Sequence, residues 1–213
     1  MSEPTRIVAI RHGETDWNSQ SRLQGHTDIP LNAMGLAQAA TLAEALRHEG
    51  LTHVYSSDLG RAAQTARALA GPLSLPVTTD VGLRERGFGL MEGLSYRELD
   101  ETRPEWAAHW RARVPDFTPP EGESLITLHA RVLAVAKRLA AAHRGGCIAL
   151  VSHGGVLDSL YRAATGLALD APRSWQLGNA AINRLLFTGE GFTLVGWNDR
   201  QHLELPAQAP PDR

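Results

Sequence analysis

Short apolar runs alternate with longer amphipathic stretches along this chain of 213 residues. The runs at 7–10 and 147–151 have no polar alternation, which is typical of parallel strands covered on both faces. The runs at 181–187 and 192–197 flank a Gly-Glu-Gly turn and predict an antiparallel hairpin at one edge of the sheet. Two further short strands are predicted at 53–56 and 77–79.

The amphipathic stretches predict the helices that connect these strands. Asn32 and Ser124 are candidate N-caps for two of them, because short polar side chains accept hydrogen bonds from the free N–H groups of a first turn. Ser57 or Asp58 is the candidate N-cap of a third helix. The helix after Asn32 is expected to bury Leu36, Ala39, Ala40, Ala43 and Leu46 or Arg47. Other helices are predicted at 96–99, 105–111 and 154–165.

The order of these elements predicts the fold class. Strands and helices alternate at first, several helices follow, and the chain continues with a strand, a helix and two strands. This order is typical of a three-layer α/β/α sandwich with a mostly parallel sheet and an antiparallel edge hairpin. We expect residues 1–205 to form a single domain, and residues 206–213, which include three prolines, to form a flexible tail.

Composition narrows the class of protein. The formal net charge is −2 and the sequence pI is about 6.5, which argues against nucleic acid or a membrane surface as a general partner. Cys147 is the one cysteine and is expected to be an inert core residue. We find no zinc-ligand spacing, no signal-peptide core and no apolar stretch long enough to span a bilayer. We therefore expect no metal and no other cofactor, and a cytoplasmic location by default.

Two strand ends carry candidate chemistry. The first strand is followed by Arg11-His12-Gly, and the run at 147–151 is followed by Ser-His153-Gly. Because ligands of open α/β sheets bind beyond the carboxyl ends of the strands, parallel neighbours would bring both histidines to one site. A neutral histidine can be a nucleophile, and an arginine offers a planar fork of donors that suits phosphate. Taken alone, the first stretch is equally compatible with a solvated arginine and a capping histidine.

Two other stretches hold weaker candidates. Arg61 falls in the first turn of a helix, where a cation is mildly unfavourable, so it has either a functional role or an ordinary surface position. The segment 82–93 is rich in glycine and charge, and Glu85 and Glu92 are its possible acids unless it is a solvated turn. Trp106 and Trp110 lie one helical turn apart and are expected to pack in the core rather than contact a ligand.

Four motifs together resemble those of the histidine phosphatase superfamily, also called the phosphoglycerate mutase-like family. The first motif is Arg-His-Gly-Glu-Thr at 11–15, continued by Trp-Asn at 17–18, and the second is Ser-Ser-Asp-Leu-Gly-Arg-Ala-Ala-Gln-Thr-Ala at 56–66. The third is Leu-Arg-Glu at 83–85 with Phe-Gly at 88–89 and Glu-Gly at 92–93. The fourth is Ser-His-Gly-Gly at 152–155. They occur in the family's order and cover nearly the whole chain. The resemblance implies the phosphoglycerate mutase-like version of the sandwich predicted above.

Carried over by position, the resemblance implies a catalytic set. His12 matches the nucleophile that accepts a phosphoryl group, and Arg11, Arg61 and His153 match the other members of its phosphate pocket. Glu85 matches the acid that protonates the leaving oxygen. Two arginines and a second histidine supply cationic donors without a metal, and a covalent phosphohistidine divides the reaction into two easier displacements.

The resemblance also implies further contacts in the substrate pocket. Asn18 matches a phosphate contact, and Gln24 and Gly25 lie in the loop that commonly lines the pocket. One departure from the family pattern is Arg86, where an apolar residue is common, and another is Met91, where tryptophan is frequent. Arg86 indicates either a carboxylate or second phosphate on the substrate, or a charge facing solvent.

The motifs favour hydrolysis over transfer. The Ser-His-Gly-Gly motif looks like the phosphatase version, since mutases usually have an Ala-His-Gly-Asn type of sequence there, and the segment 95–120 lacks the mutases' longer basic insertion. We therefore expect a metal-independent phosphomonoesterase that hydrolyses a small phosphorylated metabolite through a phosphohistidine on His12. The alternatives are a cofactor-dependent phosphoglycerate mutase, a phospholigand-binding protein, and a metallohydrolase using His12, His153 and Glu14. The only expected partner is the small phosphate ester; a homodimer through the sheet edge stays open.

Overall fold

A six-stranded sheet lies at the centre of the computed structural model, which describes residues 3–204. The strands are β1 (Thr5–Arg11), β2 (His53–Ser56), β3 (Val77–Thr79), β4 (Cys147–Ser152), β5 (Ile182–Phe187) and β6 (Phe192–Asp199). Their spatial order is β3-β2-β4-β1-β5-β6. The first four are parallel, whereas β5 pairs antiparallel with both β1 and β6. The predicted sheet with its antiparallel edge hairpin is confirmed.

Helices cover both faces of this sheet. They are α1 (Asp16–Ser19), α2 (Ala33–Ala45), α3 (Gly60–Ala70), α4 (Tyr96–Thr102), α5 (Pro104–Arg111), α6 (Leu125–Ala142), α7 (Gly154–Thr165) and α8 (Gln201–Glu204). Core residues of α2 and α3 pack on one face, and core residues of α6 and α7 pack on the other. The three-layer α/β/α sandwich expected from the order of elements is therefore confirmed. Within residues 3–204, no helix is both long and apolar enough to cross a membrane.

The central strand β1 explains the apolar runs of the sequence. Val8 and Ile10 belong to the core beneath α2 and α3, while Ile7 and Ala9 belong to the core beneath α6 and α7. Because successive side chains of a strand point to opposite faces, a strand covered on both sides needs apolar residues at every position. Cys147 lies fully buried in the first of these cores, as predicted, and burial raises the pKa of its thiol.

The pairing of β1 with β4 sets the position of both histidines. Arg11 is in register with Ser152, and the backbone N–H of His12 donates to the carbonyl of Ser152 at 2.9 Å. The two chains therefore leave the sheet side by side. The ring centroids of His12 and His153 lie 5.1 Å apart, which confirms that the two strand ends meet at one edge.

Two helix starts follow their local sequence and a third does not. The side chains of Asn32 and Ser124 accept hydrogen bonds from the first turns of α2 and α6, as predicted. At α3 the prediction of Ser57 or Asp58 as N-cap is wrong, because Leu59 occupies that position without a side-chain cap. Oδ1 of Asp28 accepts the hydrogen bond of the Gly60 N–H at 2.7 Å instead, so a distant loop satisfies this helix end.

The buried face of α2 also differs from the predicted one. Leu36 is 54% exposed and Ala40 is exposed, whereas Gly35 and Leu42 are buried with Ala39 and Ala43. Gly35 lies against the backbone of Glu14, and a Cβ at Gly35 would overlap the Glu14 carbonyl. The close approach at Gly35 therefore lies on the buried face of α2, which the apolar pattern alone does not indicate.

A third, smaller cluster packs beside the carboxyl edge of the sheet. Leu23, Met91, Leu99 and Ala107 form its buried centre, with partly buried aromatic side chains of α5 and nearby loops around them. Trp106 and Trp110 pack against this cluster, as predicted, and Trp110 also lines the cavity at this edge of the sheet. The predicted flexible tail at 206–213 lies outside the described residues.

Candidate active site

A cavity of about 660 Å³ opens at the carboxyl edge of β1 and β4. Seven of the eight predicted site residues line it, namely Arg11, His12, Asn18, Gln24, Gly25, Arg61 and Glu85. The eighth, His153, is fully buried and lies behind His12 rather than on the cavity wall. The structure thus brings together residues that are up to about 140 positions apart in the chain.

A backbone hydrogen bond fixes the tautomer of the His12 ring. Its Nδ1 atom lies 2.7 Å from the backbone carbonyl of Gly13, and this bond requires Nδ1 to carry the proton. Burial, and then the neighbouring charges of Arg61 and Arg11, lower the pKa of His12 well below its ordinary value of 6.5. The ring is therefore neutral at neutral pH, and its Nε2 atom has the free electron pair that a nucleophile needs.

Arg61 is the most deeply buried cation of the site. Its side chain is fully buried, and its two terminal nitrogens donate to the carbonyls of Thr27 at 3.0 Å and Gly25 at 2.8 Å. The alternative of an ordinary surface arginine is therefore wrong. These bonds fix the guanidinium, and its Nε has no hydrogen-bond partner among the described residues. A buried donor without a partner costs free energy until a ligand supplies an acceptor.

Other donors around His12 share this property. Arg11 donates through Nη1 to the Leu177 carbonyl, while its Nε, like both ring nitrogens of His153, is buried without a partner in the part of the chain that the structure describes. Burial lowers the pKa of His153 well below 6.5, so that ring is neutral, not the cationic donor expected from the sequence, and it has one donor and one acceptor nitrogen. Unsatisfied cationic and neutral donors beside the neutral His12 ring are suited to an anion such as a phosphoryl group.

Asn18 has one end of its amide free. Its Oδ1 accepts from the backbone and hydroxyl of Thr15 at 3.1 and 3.0 Å and from Nδ2 of Asn179 at 3.2 Å. The Nδ2 donors remain, which agrees with the implied phosphate contact. Asn179 also donates to the backbone carbonyl of His12 at 3.0 Å. Sequence reasoning missed Asn179, since it lies in a loop without a motif.

Glu92 has a different role from the one considered for it. Its carboxylate accepts from the backbone of His26 and Thr27 at 2.9 Å each, and from the backbone of Phe88 at 3.1 Å. It does not line the cavity. Gly25 has a φ of 54°, and a Cβ there would overlap Oε1 of Glu92. Glu92 and Gly25 therefore fix the loop whose carbonyls hold Arg61.

The carboxylate of Glu85 lies at the N-terminus of α7, where it lines the cavity. Its Oε1 accepts from the backbone N–H of Gly155 at 3.0 Å and from that of Arg86 at 2.8 Å. Nη1 of Arg131 holds the preceding turn by donating to the carbonyls of Gly82 at 2.8 Å and Arg84 at 3.0 Å. Arg131 is a second residue that sequence reasoning missed, because it lies on α6 with no motif around it.

The metallohydrolase alternative requires Glu14 beside His12 and His153, and the structure does not place it there. Oε1 of Glu14 accepts from the side chain of Asn32 at 2.9 Å, and Glu14 does not line the cavity with His12. Across residues 3–204, no three His, Cys, Asp or Glu side chains are grouped so that they could hold a metal ion.

The position of Glu85 depends on Gly155, which gives a testable prediction. A Cβ at Gly155 would overlap Oε1 of Glu85, and the carboxylate can move aside because it ends a flexible side chain. If Glu85 is the acid that the resemblance implies, we expect Gly155→Ala to lower kcat on an alkyl phosphate by about tenfold or more, since a displaced acid transfers protons poorly. Thermal stability should change little, because alanine is a better helix former than glycine.

An aryl phosphate is the internal control for Gly155→Ala. Its leaving group needs less protonation, so its rate should fall less than that of the alkyl ester. Equal losses on both esters, measured side by side with the melting temperature, would mean that Gly155 does not act through Glu85.

Comparison with known proteins places the chain in a family. Residues 7–200 match the family model described as histidine phosphatase superfamily (branch 1), and the chain belongs to that superfamily. It is 42% identical to phosphoglycerate mutase-like protein 4 of Arabidopsis thaliana over 202 residues, which cover 93% of this chain and 86% of the relative. It is 36% identical to probable phosphoglycerate mutase GpmB of Yersinia pestis over 211 residues, covering 95% and 96% of the two chains.

A solved structure carries a phosphatase name. The structure of a mycobacterial glucosyl-3-phosphoglycerate phosphatase in complex with VO3 superposes with a TM-score of 0.83 and 33% identity, and the match covers 92% of this chain and 99% of that one. The resemblance drawn from the four motifs is thus confirmed for both family and fold. The names of these proteins include both mutases and a phosphatase. Membership of the superfamily therefore indicates that this chain is a phosphatase or a mutase.

Proposed function

We propose that the protein is a metal-independent phosphomonoesterase that hydrolyses a small phosphate ester through a phosphohistidine on His12. The observation that carries the proposal is the hydrogen bond from Nδ1 of His12 to the Gly13 carbonyl, at a cavity wall where buried Arg11 and Arg61 nitrogens lack partners among the described residues. A ligand-binding protein would need the cations but not a histidine held with Nε2 unprotonated.

The first half-reaction transfers the phosphoryl group to the enzyme. Nε2 of His12 attacks phosphorus, the bond to the ester oxygen breaks, and that oxygen takes the proton of the Glu85 carboxyl. Arg11, Arg61 and the amide of Asn18 compensate the charge on the phosphoryl oxygens. Catalysis of this transfer consists mainly of positioning and electrostatic stabilisation, which these fixed donors supply.

The second half-reaction restores the enzyme. A water molecule attacks the phosphohistidine, Glu85 now accepts a proton from that water, and the bond between phosphorus and Nε2 breaks. Inorganic phosphate leaves, and Glu85 is again protonated for the next ester. One carboxyl group therefore acts as acid and then as base at nearly the same place, which agrees with its fixed position on the backbone of Gly155 and Arg86.

The names of the relatives favour one second candidate, a phosphoglycerate mutase. The Ser-His-Gly-Gly motif supports the phosphatase, because a side chain at Gly155 would displace Glu85 from its observed position.

Hydrolysis and phosphoryl exchange between phosphoglycerates should be measured side by side, with and without a chelator. We expect hydrolysis to exceed exchange and to be insensitive to the chelator. Exchange far faster than hydrolysis would establish the mutase, and activity lost to the chelator and restored by zinc would establish a metallohydrolase.

A further inference from the structure

Seven arginines but only two carboxylates, Glu85 and Asp158, line the cavity. Two of these arginines, Arg11 and Arg61, belong to the phosphate site. The side chains of Arg22 and Arg111 each form an ion pair with a carboxylate of α4. The cavity-lining arginines that remain are Arg86, Arg113 and Arg173.

Arg86 is a buried cation with no ion pair among residues 3–204. It is only 4% exposed, so it is not the solvent-facing charge considered above. Its guanidinium donates to the backbone carbonyls of Glu123 at 2.7 Å and Phe117 at 2.9 Å. The Glu123 carboxylate is bound by Arg131 instead, at 2.6 and 3.0 Å. The nearby carboxylates of Glu85 and Glu123 offset part of this charge without pairing with it. Because burying an incompletely compensated charge is costly, a bound anion would lower that cost.

Arg86 keeps its charge despite this burial. Loss of hydration lowers the pKa of its guanidinium to about 10, which is still well above neutral pH. The two carbonyl contacts also hold the planar group in a fixed orientation. A fixed and charged guanidinium on a cavity wall is pre-organised to bind a carboxylate or a phosphate.

A second excess of positive charge surrounds Asp158. Its carboxylate pairs with Arg113 at 2.6 Å, Arg162 at 2.9 Å and Arg173 at 3.3 Å, so three cations share one anion and two positive charges are left over. Arg162 is buried away from the cavity, whereas Arg113 and Arg173 line it. Arg113 has a φ of 53°, a conformation that favours glycine, and its bonds to Asp158 and the Leu169 carbonyl hold it there.

We propose that Arg86, Arg113 and Arg173 form a second anion-binding subsite, which takes a carboxylate or an additional phosphate on the leaving group of the substrate. This inference rests on the proposed function, because it assumes that Arg11 and Arg61 bind the transferred phosphoryl group. Arg86 directly follows Glu85, which protonates the ester oxygen, so the subsite lies on the side of the leaving group. A cavity of about 660 Å³ is also far larger than one phosphoryl group needs.

Two matched pairs of esters test the subsite. Glycerol 3-phosphate and 3-phosphoglycerate have similar leaving oxygens but differ in a carboxylate, and propyl phosphate and 1,3-propanediol bisphosphate differ in a second phosphate. We expect the parent protein to prefer the more charged member of at least one pair by about ten- to a hundredfold in kcat/KM, the usual effect of charge-assisted hydrogen bonds. The preferred pair identifies the anion. In Arg86→Met the same ratio should fall to about threefold or less.

Two further variants separate recognition from folding. Arg173 is 44% exposed, so Arg173→Met should fold normally and should also reduce the ratio. Arg111→Met is the matched control, because Arg111 lines the same cavity but is paired with Asp100, and it should leave the ratio unchanged. Equal kcat/KM within both pairs for the parent, or an unchanged ratio in both Arg86→Met and Arg173→Met, would overturn the subsite.

Calorimetry makes the test independent of hydrolysis. If no ester is turned over, the proposed function fails. The subsite is then tested by binding: the affinity of the parent is compared between 3-phosphoglycerate and glycerol 3-phosphate, and between the two propyl esters. Tighter binding of a more charged member that is lost in Arg86→Met supports the subsite, and equal affinities within both pairs refute it.

Discussion

Replacing His12 by alanine is expected to lower turnover of every phosphate ester by about a thousandfold or more, because the variant lacks the atom that accepts the phosphoryl group. Arg11 and Arg61 remain, so phosphate esters should still bind. Steady-state kinetics measure the loss. Brief incubation with a ³²P-labelled ester followed by quenching should label the parent protein and leave the His12→Ala protein unlabelled.

The control for this variant is His48→Ala, since His48 is exposed and does not line the cavity. It should retain both turnover and labelling. A His12→Ala protein that hydrolyses esters as fast as the parent would remove the phosphohistidine from the mechanism. Such a result would require a water molecule to attack the substrate directly, or would reduce the site to one that only binds phosphate compounds.

Much of the fold could be predicted because its determinants are local. The uninterrupted apolar residues of β1 and β4 reflect two covered faces, and the polar side chains of Asn32 and Ser124 cap the helices that follow them. The cap of α3 could not be found in this way, because Asp28 reaches Gly60 from a loop more than thirty residues earlier. No pattern within a helix window contains that contact.

The same distinction applies to the site. His12, Arg61 and Glu85 lie in motifs and were predicted, although Arg61 on its own resembled a surface residue until the structure showed it fully buried. Arg131 and Asn179 hold the backbone of the site from distant elements without any motif. The orientation of a buried charged side chain also depends on distant residues. The sequence is equally compatible with Arg86 facing substrate or facing solvent, and only the tertiary structure shows that it is buried at the cavity.

The two acidic residues of the segment 82–93 illustrate how environment assigns a role. Glu92 accepts hydrogen bonds from the loop that holds Arg61 and lies off the cavity, whereas Glu85 lies on its wall. Local composition treats them alike, since both are carboxylates in a glycine-rich loop, and only the motif resemblance singles out Glu85. Variants of the two residues should therefore differ in kind: loss of Glu92 should disturb the phosphate pocket, and loss of Glu85 should disturb proton transfer.

Replacing Glu85 by glutamine is expected to slow hydrolysis of alkyl phosphates by about a hundredfold or more, the usual size of general acid catalysis. An amide oxygen can still accept from the backbone of Gly155 and Arg86, so the local structure should be kept, but the amide cannot protonate the leaving oxygen. A nitrophenyl phosphate leaves as a fairly stable anion, and its rate should fall clearly less. The phosphorylation step of a single turnover measures both losses.

Glu92→Gln is the control for Glu85→Gln. Any loss in this variant should be the same for alkyl and nitrophenyl esters, because Glu92 acts on the loop that positions Arg61 rather than on the leaving oxygen. In Glu85→Gln, phosphohistidine should also accumulate during turnover of the nitrophenyl ester, since the base that activates the attacking water is gone. Equal losses of Glu85→Gln on both esters in the phosphorylation step would remove Glu85 from the acid role. His153, whose ring nitrogens lie buried beside His12, would then be the next proton donor to test.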